Sequence, residues 1–240
     1  MVGRTDACVY PAAGVAALPS LGGPEAPSVA ALQALQPDLV IANAEEHRPA
    51  DIEALQAAGV PVWVTSPTTA RDALNLLWAI VRLFDAPQAG HSLAALERSY
   101  EITRQVADDA PRVRVFCHLG REPDTAAGPA VRWLVGNRAT YLHDVLHLCG
   151  GANVFADRAS RFPRVTSAEV VTAAPEVILL PGAPFSFTEA DLAAFDAWPH
   201  LPAVQAGRVY WVDGPTLTWP GTHLARALAE LPAILHIPPV

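Results

Sequence analysis

The 240-residue sequence predicts an α/β protein of two lobes, each with a mainly parallel sheet flanked by helices, joined by one long rigid α-helix. Short β-branched runs followed by turn residues alternate with Ala- and Leu-rich helical stretches in both halves of the chain. Such alternation is typical of parallel βαβ units. A longer helical stretch with a largely polar surface separates the two series, and a chain of this length can bury two small cores.

The first strand–helix series lies before residue 87. It is predicted to comprise a helix over 28–36, a strand over 38–42, a helix over 49–58, a strand over 60–65 and a helix over 70–84. Pro37 ends the first helix, and Gly59 closes the second. Thr68 or Thr69 can cap the third helix, which carries apolar side chains on one face.

The long helix is predicted over 89–107, where a rise of about 1.5 Å per residue gives it a length of roughly 30 Å. The predicted organisation is therefore an N-terminal lobe over 1–87, a connecting helix over 88–109 and a C-terminal lobe over 110–240. The second series comprises strands over 113–118, 177–180 and 209–212, and helices over 140–148, 168–173, 189–197 and 221–235.

Composition excludes several classes of function. The net charge is −8, and no clustered excess of basic residues is present, so a nucleic-acid partner is not expected. No apolar run approaches the roughly 20 residues that a membrane-spanning helix needs. The cysteines, Cys8, Cys117 and Cys149, form no C-x-x-C pair or disulfide framework. No export signal is visible after Met1, which indicates an intracellular protein or a biological start elsewhere.

Enzyme and metal motifs give little support for catalysis. The common nucleotide-binding, nucleophile-elbow and zinc-protease motifs do not occur. His143 and His147 share a helix face near Cys149, but a suitable third ligand is not evident, and we favour histidines on a surface helix over a metal site. We therefore predict no catalytic residue, no metal site and no resident cofactor.

Ligands of parallel sheets bind beyond the carboxyl ends of the strands. That rule selects the segments 43–47, 65–66, 118–121, 181–187 and 213–219 as the walls of a cleft. Glu45 and Glu46 fall there, although a role beside a helix N-terminus is equally plausible. The charged run of Arg121, Glu122 and Asp124 is interpreted as a solvated loop.

Aromatic residues in or beside predicted loops are the strongest candidates for a binding site. They are Tyr10, Trp133, Phe185, Phe187 and Trp219. Each could be a core or anchoring residue, but together they indicate flat surfaces for a large, partly apolar ligand. Polar groups that could orient such a ligand are Arg4, Arg132 and Ser186.

Several segments resemble the class III, or helical-backbone, periplasmic substrate-binding proteins, which serve importers of cobalamin, iron-siderophores and haem. The matching segments are 2–6 with Tyr10 and Pro11, 28–42 with "LQPDLVIA", 57–63, 149–156 "CGGANVFA", 165–170, 175–181 and 213–225. Together they cover nearly the whole chain in family order. The resemblance implies a ligand held between two lobes with little hinge closure.

The resemblance also implies roles for particular residues. Tyr10 matches a tyrosine that faces the corrin ring in cobalamin-binding relatives. In those relatives the loop before the last helix contributes another aromatic residue, and Trp219 is the nearest candidate for it here. Trp133 and the turn at Phe185–Phe187 look like features of one subgroup. An ABC permease, a peripheral membrane association and a periplasmic or cell-envelope location are implied as well.

The chain departs from the family pattern in two places. Family members usually have a strand and a helix before the segment at 2–6. Either the biological start lies upstream of Met1, or the N-terminal lobe lacks that unit and leaves a sheet edge uncovered. Ala30 stands where the family often has a glutamate that docks onto transporter arginines, so docking by that ion pair is not expected.

The sequence thus favours the substrate-binding component of an ABC importer for a metal chelate: a cobalamin-like corrinoid, a ferric siderophore or haem. Two alternatives stay open. One is a two-lobed tetrapyrrole metal chelatase that uses His118 or His143 as base or ligand, and the other is an intracellular chelate sensor or carrier.

Overall fold

A computed structural model describes residues 1–109, 111–123, 131–182, 187, 195 and 197–237. The chain divides into two compact units, Met1–Ser66 and Pro67–Val240. The sequence-based division instead ended the first lobe at residue 87. The difference arises because the two long helices after residue 67 pack within the second unit. Phe185, Ser186, Asp124 and most of the predicted helix over 189–197 lie outside the described residues.

The first unit contains a two-stranded parallel sheet. Its elements are α1 (Ala12–Val15), α2 (Val29–Ala34), β1 (Val40–Asn43), α3 (Pro49–Ala57) and β2 (Val62–Thr65). The strands β1 and β2 pair in register from Val40 with Val62 to Asn43 with Thr65. Helix α2 begins where the Ser28 hydroxyl accepts a hydrogen bond from the amide of Ala31. Both helices and both strands predicted before residue 66 are therefore present, with ends shifted by one or two residues.

Two antiparallel-packed helices open the second unit: α4 (Ala70–Leu83) and α5 (Pro87–Asp109). Thr69 and Asp72 form a reciprocal capping box at the start of α4. Burial raises the pKa of Asp72, but the hydrogen bonds from Thr69 and Thr68 outweigh it, so this pKa lies below its ordinary value. Helix α5 is the predicted long helix. At about 1.5 Å per residue its 23 residues extend about 35 Å.

Polar contacts fix α4 against α5. The indole of Trp78 donates to Glu97 over 3.1 Å, and Arg71 pairs with Glu97 at 2.5 Å and with Glu101. The Arg71 guanidinium also lies 4.5 Å from the centre of the Tyr100 ring. Because one arginine contacts residues on two adjacent turns of the neighbouring helix, the register between the two helices is strongly determined.

The remaining elements surround one mixed sheet. They are β3 (Val113–Pro123), β4 (Val131–Val135), α6 (Tyr141–Leu148), β5 (Gly151–Asn153), β6 (Arg164–Thr166), α7 (Ser167–Ala173), β7 (Val177–Pro181), α8 (Pro202–Gln205), β8 (Val209–Val212), α9 (Gly214–Thr218) and α10 (Leu224–His236). The strand order is β6-β4-β3-β7-β8, and β5 also pairs with β3. Strands β5, β3, β7 and β8 are parallel, whereas β4 and β6 form an antiparallel extension.

Strand β3 is nearly twice as long as the sequence indicated and belongs to both parts of the sheet. Its first half pairs in parallel with β5 and β7, and its second half pairs with β4 after a register shift between His118 and Gly120. A bulge of this kind bends a strand and re-aims its side chains. The prediction of a solvated loop at Arg121 and Glu122 is therefore wrong, because both residues lie in β3. The prediction of a mainly parallel α/β fold is confirmed.

Alternating side chains of β3 and β7 pack into two separate hydrophobic cores. Val115 and Cys117 join a core formed with α4, α5, α6 and α10, whereas Phe116 joins an aromatic core on the opposite face. All five residues of β7 are buried, as expected for a parallel strand covered on both sides.

Three arginines bind the ends of helices near the starts of these strands. Arg112 donates to the His147 carbonyl over 2.6 Å, and Arg208 donates to the Leu235 carbonyl over 2.6 Å. Arg114 donates to the Ala174 carbonyl over 3.4 Å. Carbonyl groups at helix C-termini lack partners within the helix, so these contacts satisfy them. The amino-terminal side of the sheet is thus occupied by structural contacts.

Among the described helices, none is both long and apolar enough to cross a membrane.

The end of α7 offers a stability test. Ala174 has φ 43° and ψ 60°, a left-handed conformation that costs an L-residue with a Cβ about 1 kcal/mol. We expect Ala174→Gly to raise the free energy of unfolding by about 0.5–1 kcal/mol in urea denaturation. The matched control is Ala173→Gly, one residue earlier in the helix, which should lower it by about 1 kcal/mol. Equal losses in both variants would contradict the assigned backbone.

Candidate functional site

The candidate residues of the first unit lie before its sheet, and they differ in exposure. Tyr10 is 56% exposed, so most of its ring is available to a ligand. Arg4 is half-buried and donates to the carbonyl oxygens of Val15, at 2.9 Å, and Thr5, at 3.0 Å. Arg4 therefore organises the surrounding loop, and Tyr10 offers the larger contact surface.

The segment after β1 is a compact turn. The Asn43 side chain accepts from the amide of Glu45 at 2.9 Å, and the His47 ring lies 3.0 Å from the Asn43 carbonyl. The acidic residue in the first turn of α3 is Asp51. The N-cap residue of α3 is Arg48, so Glu45 and Glu46 precede the helix, and both are exposed after the carboxyl end of β1.

Trp133 lies in the middle of β4, so its predicted location in a loop is wrong. Residues 131, 133 and 135 alternate toward the aromatic core, and Trp133 is only 1% exposed. Its indole donates to the Ser167 hydroxyl over 3.2 Å and stacks on Phe195 at a centroid distance of 5.7 Å. In this structure Trp133 is a core residue, and its ring would have to be uncovered to contact a ligand.

His118 forms the centre of the same aromatic core. Its ring is fully buried, and its centroid lies 4.2 Å from the ring centroid of Phe187, 4.7 Å from that of Trp133 and 5.3 Å from that of Phe116. Phe187 itself is 9% exposed. The sequence signal that could have found this was the alternation of Phe116 and His118, which directs both side chains to one face of β3. A buried histidine of this kind is not positioned as an accessible catalytic base.

Arg132 belongs to a charged group on the other face of the antiparallel extension. The strand register sets Arg132 opposite Glu122. Glu122 accepts two hydrogen bonds from Arg164, at 2.7 and 2.9 Å. The hydrogen bond from Arg164 lowers the pKa of Glu122, and the charge of Arg132 lowers it further. Sequence reasoning missed this pair because its members are 42 residues apart.

The histidines of α6 have structural neighbours. His143 and His147 stack at a centroid distance of 6.0 Å. Cys149 is buried, and burial raises the pKa of its thiol to about 12. The adjacent Asp144 accepts from the Ala70 amide over 2.7 Å and so joins α6 to the start of α4. Within the described part of the chain, no three His, Cys, Asp or Glu residues are grouped so as to hold a metal ion.

Trp219 lies on a fixed loop between α9 and α10, at the carboxyl end of β8. It is half-buried, and its ring centroid is 5.6 Å from that of His223. Its amide donates to the Pro215 carbonyl over 3.1 Å, and Arg226 pairs with Asp213 at 3.0 Å across the base of the loop. This is the position where ligands of parallel sheets bind. The segment 213–219 selected from the sequence thus comprises Asp213, helix α9 and the half-buried Trp219.

The fold and its sequence place the chain in a known class. The family model described as periplasmic binding protein matches residues 1–216, and the chain belongs to this family.

Among curated proteins, the vitamin B12-binding protein of Vibrio parahaemolyticus serotype O3:K6 (strain RIMD 2210633) is 31% identical over 192 residues, which are 76% of this chain and 64% of that protein. The vitamin B12-binding protein of Yersinia pestis (strain Pestoides F) is 28% identical over 158 residues, 65% of this chain and 52% of that protein. The chain therefore spans between about half and two thirds of the length of these relatives.

Solved structures agree on the fold. The periplasmic heme-binding protein BhuT in complex with two hemes superposes with a TM-score of 0.79 and 26% identity, over 98% of this chain and 88% of that one. The periplasmic vitamin B12-binding protein BtuF of Vibrio cholerae gives a TM-score of 0.82 with 22% identity, over 98% and 88% of the two chains. The second likeness shows the fold alone.

The burial of Trp133 predicts a difference between the two aromatic candidates. Trp133→Ala should lower the free energy of unfolding by about 3–5 kcal/mol, because it leaves a cavity in the core. Tyr10→Ala should change it by less than about 0.5 kcal/mol, because the ring is exposed. Urea denaturation of both variants measures this, and similar losses would contradict the contrast in burial.

The α6 histidines predict a loss of stability in acid. Burial lowers the pKa of His143, and the positive charges of His147, Arg138 and Arg112 lower it further. The charge of Asp144 partly offsets this by raising the pKa. Burial also lowers the pKa of His147, and the positive charge of Arg112 lowers it further. The charges of Asp144 and Asp108 partly offset this by raising the pKa. The folded protein therefore disfavours protonation, and stability should fall as pH drops through the ordinary histidine pKa, about 6.5.

Thermal melts between about pH 8 and pH 5 measure this dependence. The double variant H143Q/H147Q should show a shallower decline than the parent. His91→Gln on the exposed side of α5 is the matched control, and a decline equally shallow in the control would contradict the assignment to α6.

Proposed function

We propose that the chain is the substrate-binding component of an ABC importer and captures a metal chelate: a cobalamin-like corrinoid, haem or a ferric siderophore. The observation that carries the proposal is the family match over residues 1–216, together with relatives named for binding vitamin B12 and heme. The protein binds and releases its ligand without making or breaking covalent bonds in it.

Two aromatic residues are proposed as the main ligand contacts. Tyr10 contributes an exposed ring from the first unit, and Trp219 contributes a half-buried ring from the second. Aromatic rings give large contact area for little loss of conformational entropy, which suits a broad, flat chelate. Trp133 and Phe187 contribute instead to the rigid core behind the antiparallel extension. Arg132 lies on that extension and is proposed to orient a polar substituent of the ligand.

The proposed partner is an ABC permease, which the protein meets at the membrane surface in the periplasm or cell envelope. Ala30 is exposed at the start of α2 and carries no charge. Docking of the first unit onto the permease therefore relies on residues other than Ala30.

Titration calorimetry on the purified chain tests the proposal, with cobalamin, haem and a representative ferric siderophore as probes. We expect binding of at least one, and we expect Trp219→Ala or Tyr10→Ala to weaken it about 10- to 100-fold, as for an aromatic hot spot.

The matched control is Phe84→Ala at the end of α4, since Phe84 is 63% exposed. It should leave affinity unchanged. Absence of binding for all three classes of chelate would overturn the proposed function. Equal losses in the control would overturn the assignment of the contacts.

A further inference from the structure

Helix α6 carries two histidines one turn apart on its outer side. His143 is half-buried and His147 is exposed, whereas the apolar side chains of the helix are buried. Residues four apart on a helix are neighbours on its surface. The two rings stack with a centroid separation of 6.0 Å and an interplanar angle of 22°. The two imidazoles therefore lie side by side at the helix surface.

The contacts that hold α6 use the backbone of these residues rather than their rings. The His143 amide donates to the hydroxyl of the capping residue Thr140 over 3.3 Å, and the His147 carbonyl accepts from Arg112 over 2.6 Å. Among the described residues, the Nδ1 atom of His143 is buried without a hydrogen-bond partner. Its Nε2 atom is therefore the nitrogen that can meet an ion from solvent.

The spacing of the two rings suits a shared metal ion. A nitrogen ligand at about 2.1 Å sets each ring centroid about 3.2 Å from the ion, so bonds at about 90–110° separate the centroids by about 4.5–5.3 Å. The separation of 6.0 Å closes to this range when the exposed His147 ring rotates about its side-chain bonds. Histidines at i and i+4 on one helix face are also the pair that holds zinc in H-E-x-x-H sites.

Carboxylates lie beside the exposed ring. His147, Asp108 and Asp144 line one recess between α5 and α6. The arginines of this region are each paired with a carboxylate: Arg104 and Arg112 with Asp108, at 3.7 and 3.9 Å, and Arg138 with Asp157. Asp144 uses its Oδ2 atom to accept from a backbone amide. Water on an ion bound at the histidines can donate to this carboxylate, and such outer partners strengthen metal sites.

We propose that His143 and His147 chelate a divalent first-row transition metal ion, with water completing its coordination shell and Asp144 accepting from that water. Imidazole ligands suit zinc, nickel and copper. The sequence-based prediction set the pair aside because a third protein ligand is not evident, but water supplies the remaining ligands. The proposal concerns a free metal ion and does not depend on the proposed function.

Titration calorimetry of the chelate-free chain with NiCl2 and ZnCl2 tests the proposal. We expect one ion to bind per chain. His143→Ala and His147→Ala should each weaken binding by about tenfold or more, at least as much as loss of an outer-shell partner at a metal site. The matched control is His91→Ala, which removes an exposed histidine of α5 and should leave the affinity unchanged.

Electron paramagnetic resonance with CuCl2 identifies the ligands. Copper binds nitrogen sites more tightly than nickel or zinc does. The measurement uses a Cys8→Ser background, because Cys8 is an exposed thiol that would compete for the ion. We expect couplings to two imidazole nitrogens in the parent and to one in either single-histidine variant.

The outcomes decide the proposal without reference to chelate binding. If neither nickel nor zinc binds the parent, or if both alanine variants bind like the parent, the proposal is overturned. A loss in His91→Ala equal to that in the α6 variants also overturns it, since the ions are then held by scattered histidines. Circular dichroism melts establish that each variant is folded, and the glutamine variants H143Q and H147Q replace any alanine variant that is not.

Discussion

The burial of both faces of β3 and β7 is the constraint on which the second unit depends. Successive side chains of each strand enter different cores, so neither face of the sheet is free for a ligand. The starts of the strands are occupied by arginines that bind helix carbonyl groups. The carboxyl ends remain, and Trp219 follows the last of these strands there. A site at strand ends follows from how the rest of the sheet is satisfied.

The aromatic residues have two different roles that the residue type alone does not distinguish. Phe116, Trp133 and Phe187 surround His118 and form a rigid core behind the antiparallel extension. Tyr10 and Trp219 keep part of their rings accessible. A binding protein needs both, because a rigid core lowers the entropy lost when the exposed rings contact a ligand.

Much of the fold could be predicted because its signals are local. The Thr69 cap, the glycine after α3 and the valine and aromatic residues of β8 each specify an element through neighbouring residues. The extension of β3 was missed because Arg121 and Glu122 have the composition of a loop. Glu122 is paired with Arg164, a partner that only the tertiary structure brings near.

The candidate site was predictable in the same uneven way. Trp219 follows the last strand, and a general rule about strand ends selects it. We predicted a loop at Trp133 because Arg132 interrupts the apolar pattern of residues 131–135. In the structure these residues form strand β4.

Hydrogen–deuterium exchange with and without a saturating chelate, either cobalamin or haem, tests the central claim most directly. The account predicts slower exchange at residues 213–223 and around Tyr10, with α6 unchanged. Protection confined to α6, or binding without protection at either predicted segment, would contradict it.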